Sequence, residues 1–438
     1  MQSPRSYKRI PRRNVPLRQR RSNTLSLAGF AGLVVFLLVL LSTCSVPLFS
    51  QREPVISGYV ANPTPVVGPT VLPTVTPLPN AVPASAAAGA GSDQAASPPL
   101  AGVLVPATTG GPGDEVAERA ARMNAYLAGL TQQGVFSGAV LVAQRGQVVL
   151  SRGYGLANRE EAIPAGARTR FRLASVTKPL TAVGVMRLVA GGHIKLEASI
   201  CTYLTPCPAA WQAVTVEHLL RQSSGIPNYT DFANFAALEL EPTTPTQLVA
   251  RFRELPLGFT PGTIYHYTNS NYVLLAVIIE QVTGMPYADY MQRELFRPLG
   301  MVNSGLDPGD FGPLEGTRGY AGGVRDIPLD VSNLYGSGDL YATVEDLYLF
   351  VKALRGGALL SNDLMERMWT PGPGRYAMGW MVEQRGERRI ISHPGWMSGA
   401  ATWLGFYPNE DLVIVVLSNN NAANVFAIAD ALAAVALE

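Results

Sequence analysis

The chain has 438 residues, 47% of them apolar, so it can bury a core large enough for one to three domains. Its formal net charge is +2, but eight of the 34 basic residues lie within the first 22 positions, where no acidic residue occurs. The rest of the chain carries 26 basic and 32 acidic residues, a net charge of −6, which argues against nucleic acid as a partner.

The basic tail, residues 1–24, precedes an apolar run over residues 25–46. About 20 apolar residues in a helix span a bilayer, and positive charge on one side of the run predicts a single-pass anchor with a cytoplasmic N-terminus. A cleaved signal peptide and a lipoprotein signal with lipid attached at Cys44 are the two alternatives. All three place the downstream chain outside the cytoplasm, at the cell membrane or beyond it.

Residues 47–113 have low sequence complexity. Between residues 54 and 113 the single charged residue is Asp93, and nine prolines lie between residues 62 and 99. Prolines among small residues cannot build a packed core, so we expect an extended or disordered linker. The folded domain should therefore cover residues 114–438.

The two ends of this domain carry strand patterns. A helical stripe over 114–130 comes first, a terminal helix should start near Ala422, and the stretch from 175 to about 354 has mostly helical pattern. The predicted strands are 138–143, 147–153, 376–384, 388–392, 400–407 and 412–418. We therefore predict an α/β (α+β) fold, with one antiparallel β-sheet formed by both termini of the domain, flanking helices and an inserted, mostly helical subdomain.

The cysteines and histidines show no metal-binding pattern. Neither C-x-x-C nor H-E-x-x-H occurs, and the four histidines lack ligand-like spacing, so we predict neither a metal nor a cofactor. Cys201 and Cys207 are close enough in sequence for a small loop disulfide in an oxidising compartment. Two unpaired buried thiols are the equal alternative, because a short loop often cannot meet disulfide geometry.

The lysines are the most informative residues, since there are only four of them and one, Lys178, lies three residues after Ser175. Positions i and i+3 share a helix face, so the amine can reach the hydroxyl. A desolvated lysine can act as a base near neutral pH, whereas arginine cannot. Pro179 lacks an N–H and is harmless only in a first helical turn, so the helix should begin near Ser175.

Two further short motifs carry polar side chains suited to a Ser-Lys site. Tyr267 and Asn269 form Y-x-N in a turn before the predicted helix 273–282, where a phenol could relay protons and an amide could orient the lysine. His393 and Gly395 form the one H-x-G of the sequence, at the end of a predicted strand.

In chain order, S-x-x-K, Y-x-N and H-x-G resemble the three signatures of the serine β-lactamase and penicillin-binding protein superfamily, in particular its class C-like branch. The resemblance extends from about residue 134 to the C-terminus. Four further stretches resemble recurrent family sequences: residues 136–143, 219–227, 298–301 and 336–340.

The resemblance implies a β-lactamase/transpeptidase-like fold and a serine hydrolase that works through an acyl-enzyme. It also implies a role for each matching residue. Ser175 would be the nucleophile, Lys178 its base, Tyr267 the proton relay and Asn269 an orienting group, while His393, Gly395 and Trp396 would bind substrate, with the backbone N–H groups of Ser175 and Trp396 as the oxyanion hole.

Two departures bear on the substrate. Histidine in the third motif resembles D-alanyl-D-alanine carboxypeptidases and related esterases more than class C β-lactamases, and Pro394 cannot donate a backbone hydrogen bond to a substrate. The expected substrate is a small peptide, amide or ester, with cell-wall peptide as one candidate. A β-lactamase and a non-catalytic penicillin-binding or cell-wall sensor protein are the alternatives. The absence of G-x-S-x-G disfavours an α/β-hydrolase.

Overall fold

The computed structural model describes residues 112–311, 316–326 and 329–438. The predicted tail and membrane span lie outside these residues, as does the linker except for its last two positions, so all three stay predictions. Within the described ranges, no helix combines the length and the apolar character needed to cross a bilayer.

The strands of the described chain form one large sheet and several short ribbons. In chain order they are β1 (Gly138–Gln144), β2 (Gln147–Tyr154), β3 (Leu156–Asn158), β4 (Ile163–Pro164), β5 (Phe171–Arg172), β6 (Gly305–Leu306), β7 (Tyr320–Ala321), β8 (Val324–Arg325), β9 (Leu340–Ala342), β10 (Met381–Arg385), β11 (Arg388–Met397), β12 (Ala400–Tyr407) and β13 (Leu412–Ser418). The large sheet is antiparallel, with strand order β10-β11-β12-β13-β1-β2.

The helices lie at both ends of the domain and in the long segment between β5 and β10. In chain order the described α-helices are α1 (Pro112–Gln132), α2 (Thr177–Ala190), α3 (Val216–Leu220), α4 (Phe235–Leu238), α5 (Pro245–Ala250), α6 (Asn269–Thr283), α7 (Tyr287–Met291), α8 (Arg297–Leu299), α9 (Val344–Arg355), α10 (Asn362–Trp369) and α11 (Val425–Ala436). The predicted antiparallel sheet with flanking helices and a helical insertion is confirmed.

Pairing of β1 with β13 joins the two ends of the domain, in the register Gly138 to Ser418 through Gln144 to Leu412. Successive residues of β1 face opposite sides of the sheet, so each side acquires its own core. Val140 and Val142 pack with α1 and α11, whereas Ala139 and Leu141 belong to the larger core that contains α2 and α6. The candidate site lies on the side of the larger core.

A three-stranded ribbon, β5-β9-β6, leads into the first motif. In it, Arg172 Nε donates to Asp307 Oδ2 over 2.5 Å, and both side chains are buried. Each charge of a buried ion pair depends on the other, because removing one leaves the other buried and uncompensated. The pair therefore holds β5 in place three residues before Ser175.

Several element boundaries differ from the predictions. The helix predicted over residues 273–282 already begins at Asn269, so Asn269 lies in the helix rather than in the turn before it. The first predicted C-terminal strand begins at Met381 rather than at residue 376, because residues 377–380 form a turn in which Ala377 N donates to Trp380 O. The next predicted strand continues beyond Ser392 to Met397 in spite of its proline. It can do so because the first residue of β10, Met381, pairs with Ser392, so β10 does not reach the proline and β12 is the neighbouring described strand there.

The last helix begins at Val425 rather than near Ala422. Asn424 caps it, with a side chain that accepts a hydrogen bond from Ala427 N. Of the two alternatives for the cysteines, the structure has the disulfide between Cys201 and Cys207.

Candidate active site

Ser175 lies in a tight turn at the start of α2. The turn is a short 3₁₀ helix, Ala174–Val176, which passes directly into α2. Ala174 has a φ of +47°, a left-handed conformation that costs a non-glycine residue about 1–2 kcal/mol. Neighbouring strands hold this turn, since Leu173 N donates to Leu340 O over 2.9 Å and Thr402 Oγ1 donates to Leu173 O over 2.8 Å.

Lys178 lies one turn further along, with its side chain fully buried. Its Nζ is 3.1 Å from Ser175 Oγ, 2.8 Å from Asn269 Oδ1 and 2.8 Å from the backbone oxygen of Ser337. Burial lowers the pKa of Lys178 well below its ordinary value, and the charge of Asp339 opposes this shift in part. The lysine is therefore biased toward the neutral amine that a base requires.

Tyr267 approaches the serine from another direction. Its hydroxyl donates to Ser175 Oγ over 2.9 Å, and its ring centroid is 4.9 Å from Lys178 Nζ. Loss of solvent raises the pKa of Tyr267 above its ordinary value, so the phenol keeps its proton. Ser175 Oγ is thus in contact with one group biased toward losing its proton and one biased toward keeping it.

Asn269 is the first residue of α6, and three neighbours fix its orientation. Its Oδ1 accepts from Lys178, its Nδ2 donates to Thr230 Oγ1 over 3.2 Å, and its backbone N–H donates to Asn228 Oδ1 over 2.9 Å. Thr230, Asn228 and the carbonyl of Ser337 lie outside the three sequence motifs. Asn228 directly follows the family-like stretch 219–227, Thr230 lies three residues beyond it, and Ser337 lies within another such stretch, which was the available signal.

Gly395 lies on β11, opposite the turn that carries Ser175. A Cβ atom added here would be 2.4 Å from Leu173 O and 3.1 Å from Ser175 N, so any side chain would push the turn away. This close approach explains why position 395 requires a glycine, in addition to the predicted access for substrate. Next to it, Trp396 is 69% exposed, and its indole N–H donates to Asn421 O over 2.8 Å.

His393 lies on the same strand but behind the site, only 1% exposed. Its Nδ1 is 2.6 Å from Pro394 O, an atom that can only accept, so this nitrogen carries the hydrogen and Nε2 accepts from Tyr376 OH at 3.0 Å. Burial, together with the charge of Lys178, lowers the pKa of His393 to about 3. The imidazole is neutral at pH 7 and packs beside Tyr267, with ring centroids 6.3 Å apart.

The structure therefore brings Ser175, Lys178, Tyr267 and Asn269 into one hydrogen-bonded group, with Gly395 against it. Trp396 lies at the rim and His393 forms part of the wall behind Tyr267. In the described ranges, no group of three or more His, Cys, Asp or Glu side chains is arranged to hold a metal ion.

A serine and a lysine one helical turn apart, a tyrosine on the serine oxygen and a facing strand are the features of the serine β-lactamase and penicillin-binding protein superfamily. The family model described as Beta-lactamase matches residues 116–438. The chain belongs to this family, and the resemblance inferred from its three motifs is confirmed.

Relatives and solved structures agree with this assignment. A penicillin-binding protein of Bacillus subtilis (strain 168) is 30% identical over 316 residues, covering 66% of this chain and 69% of the relative. The crystal structure of a penicillin-binding protein from Bacillus halodurans superposes with a TM-score of 0.62 at 26% identity, over 70% of this chain and 98% of that one. D-amino acid amidase from Ochrobactrum anthropi SV3 shares the fold, with a TM-score of 0.63 at 22% identity over 72% and 98% of the two chains.

We predict that His393→Gln weakens the acid sensitivity of the fold. The folded-state pKa of His393, about 3, is below the unfolded value of about 6.5, so the neutral histidine contributes stability above pH 6.5 that is lost as pH falls toward 3. Between pH 6.5 and about 4, the free energy of unfolding of the wild type should fall more steeply than that of the variant, by up to about 1.4 kcal/mol per pH unit.

Urea unfolding across this pH range measures the two slopes. His193→Gln is the matched control, because His193 is exposed and should leave the slope close to that of the wild type. Equal slopes for wild type and His393→Gln would contradict the assignment of a buried neutral imidazole.

Proposed function

We propose that this protein is a serine acyl hydrolase that forms an acyl-enzyme on Ser175 and acts on small peptides, amides or esters of D-amino acids. The observation that carries the proposal is the position of Ser175 Oγ, 3.1 Å from Lys178 Nζ and 2.9 Å from Tyr267 OH. A nucleophile in contact with both a base and an acid can be deprotonated on attack, and the leaving group can be protonated next.

The contacts of Lys178 support the direction of proton transfer. A neutral amine has two hydrogens and one lone pair, and Asn269 Oδ1 and Ser337 O can accept only, so they take both hydrogens. The lone pair then remains for the hydroxyl hydrogen of Ser175. Tyr267 donates its own hydrogen to the other side of Ser175 Oγ, so each partner has one role without conflict.

In the proposed reaction, Ser175 Oγ attacks the substrate carbonyl while its proton passes to Lys178 Nζ. The carbonyl oxygen becomes an oxyanion, which the N–H groups of Ser175 and Trp396 would stabilise. Ser175 lies in a first helical turn, where backbone N–H groups lack intrahelical acceptors, and its nitrogen lies close to Gly395, the residue before Trp396. Tyr267 then relays a proton to the leaving group, and water releases the acyl group by the reverse path.

His393 bears on the substrate class. A neutral, buried imidazole supplies no positive charge, whereas many β-lactamases have Lys-Thr-Gly at this position. We therefore propose that peptides, amides and esters are better substrates than β-lactams. The solved structure from Ochrobactrum anthropi is that of a D-amino acid amidase, which fits a D-configured amide as substrate.

We further propose that the domain works outside the cytoplasm, held at the membrane by the predicted span 25–46, with cell-wall peptide as a candidate substrate. The basic tail before this span and the Pro-rich linker after it support the proposal.

We predict that a fluorescent penicillin or fluorophosphonate labels the full-length protein at one site, and that peptide mapping places the adduct on Ser175. Ser175→Ala should remove the label, while Ser398→Ala, at the nearby turn between β11 and β12, should retain it. An adduct on another serine would disprove the mechanism. A permanent adduct without turnover of any substrate would favour the non-catalytic sensor.

The substrate class has a separate test. We expect the full-length protein to hydrolyse a D-Ala-D-Ala peptide, a D-amino-acid amide or a small ester faster than a cephalosporin, because His393 carries no charge at neutral pH. Values of kcat/KM measured side by side give the order. Rapid, repeated turnover of the cephalosporin would show instead that the protein is a β-lactamase.

We predict that Lys178→Arg abolishes general-base assistance while retaining a positive charge. Guanidinium stays protonated even when buried, so acylation should slow by about 10²- to 10⁴-fold, roughly 3 to 5 kcal/mol of transition-state stabilisation. Lys352→Arg, at an exposed lysine, is the matched control. If stopped-flow acylation of folded Lys178→Arg stays within about tenfold of wild type, Lys178 is not the base.

A further inference from the structure

The loop Gly336–Asp339 crosses the inner end of the Ser-Lys site. It lies between two helices, with Ser337 O accepting from Lys178 Nζ and Gly336 O accepting from Thr181 Oγ1, both over 2.8 Å. Gly336 has a φ of +66°, and a Cβ atom there would be 2.4 Å from Ala276 Cβ on α6. The loop is therefore packed too tightly to move independently of the lysine.

Asp339 ends this loop and is only 1% exposed. Its Oδ2 accepts from Gly336 N over 3.0 Å, which closes the loop on itself. Its Oδ1 is buried without a hydrogen-bond partner among the described residues. A buried carboxylate oxygen without a partner is destabilising, so Asp339 does not owe its place in this loop to stability alone.

Other ionisable groups face Asp339, and most are uncharged. Tyr229, Tyr287 and Tyr335 interact with it, and the pKa of each phenol is raised, chiefly by burial. Asp307 also interacts with it, but that carboxylate is already paired with Arg172.

The groups that face Lys178 are also neutral. The rings of Tyr267 and Tyr272 lie 4.9 Å and 5.6 Å from Nζ, and burial raises the pKa of both phenols. His393 is near enough for the charge of Lys178 to affect it, but its pKa is depressed. The groups around Lys178 are therefore mostly uncharged. The charge of Asp339 is the main one that acts on the lysine.

We propose that Asp339 is a positioning residue for the hydrolase reaction: its carboxylate holds the loop that keeps the Ser337 carbonyl on Lys178, and it is the counter-charge for the ammonium form of Lys178. The proposal rests on the proposed function, in which Lys178 is the base. The aspartate does not contact the nucleophile or the reacting atoms, and it acts only through the lysine.

The charges of the two groups are complementary. Burial raises the pKa of Asp339 to about 7, while burial lowers the pKa of Lys178, so the two groups titrate as a coupled pair. When Lys178 accepts the proton of Ser175, an ionised Asp339 stabilises the resulting ammonium. The proton remains on Nζ until it passes through Tyr267 to the leaving group, so none is lost to solvent.

The test is Asp339→Asn in the full-length chain. Asparagine keeps an oxygen for Gly336 N–H but removes the charge, so the ammonium of Lys178 becomes less favourable. With lysines carrying ¹³C at the ε-carbon, the chain gives four signals, and Lys178→Arg identifies that of Lys178. We expect the midpoint of the Lys178 titration, and the acidic limb of the acylation rate against pH, to move lower by about one unit or more.

Asp346→Asn is the matched control. Asp346 is also buried, and its carboxylate accepts from Asn303 N and Ser304 Oγ rather than supporting the loop on Lys178. An unchanged midpoint in Asp339→Asn, or an equal shift in both variants, would overturn the proposal. If the midpoint moves but the acylation profile does not follow, Asp339 controls the lysine and the proposed role of Lys178 as base fails instead.

If Asp339→Asn does not fold, a second measurement, made on the wild type, tests the proposal. Because the two groups are coupled, the Lys178 signal should respond to pH in two steps, one for each ionisation. A single step would overturn the proposal.

Discussion

The removal of water from Lys178 is the constraint on which the site depends. A lysine in water is an ammonium at neutral pH and cannot accept a proton, whereas full burial disfavours the charged form. Burial alone would also leave the amine without partners, so the fold supplies two carbonyl acceptors, Asn269 Oδ1 and Ser337 O. Because these two acceptors take both hydrogens of the neutral amine, the lone pair of Nζ is left to face Ser175.

The architecture places these groups together from distant parts of the chain. Lys178 meets Asn269 across 91 residues and Ser337 across 159. Pairing of β1 with β13 joins the strands from both ends of the domain in one sheet. In that sheet, β11 lies against the turn before α2, and Gly395 permits the close approach. Leu173, the residue before the left-handed Ala174, donates a hydrogen bond to β9 and accepts one from β12, so strand contacts balance the strain of the turn.

The predictability of the fold differed between strand cores and strand ends. Alternating and buried apolar runs placed 400–407 and 412–418 correctly, because burial dictates those residues locally. The end of β11 was missed because a proline normally excludes a central strand, and only the observed pairing shows that β10 lies beside β11 no further than Ser392. The start of β10 was missed because the turn at 377–380 is made by backbone hydrogen bonds that no residue pattern announces.

For the site, the sequence alone identified the side chains that the structure brings together, because S-x-x-K on a helix implies contact at i and i+3, and the family motifs named Tyr267 and Asn269. Only the tertiary structure decided what surrounds them: Ser337 O on the lysine, Thr230 on Asn269, Tyr376 on His393 and the unpartnered oxygen of Asp339. The physical reason is that a side chain's proton affinity depends on burial and on nearby charges and donors. Those neighbours come from segments far apart in the chain, and no local pattern records them.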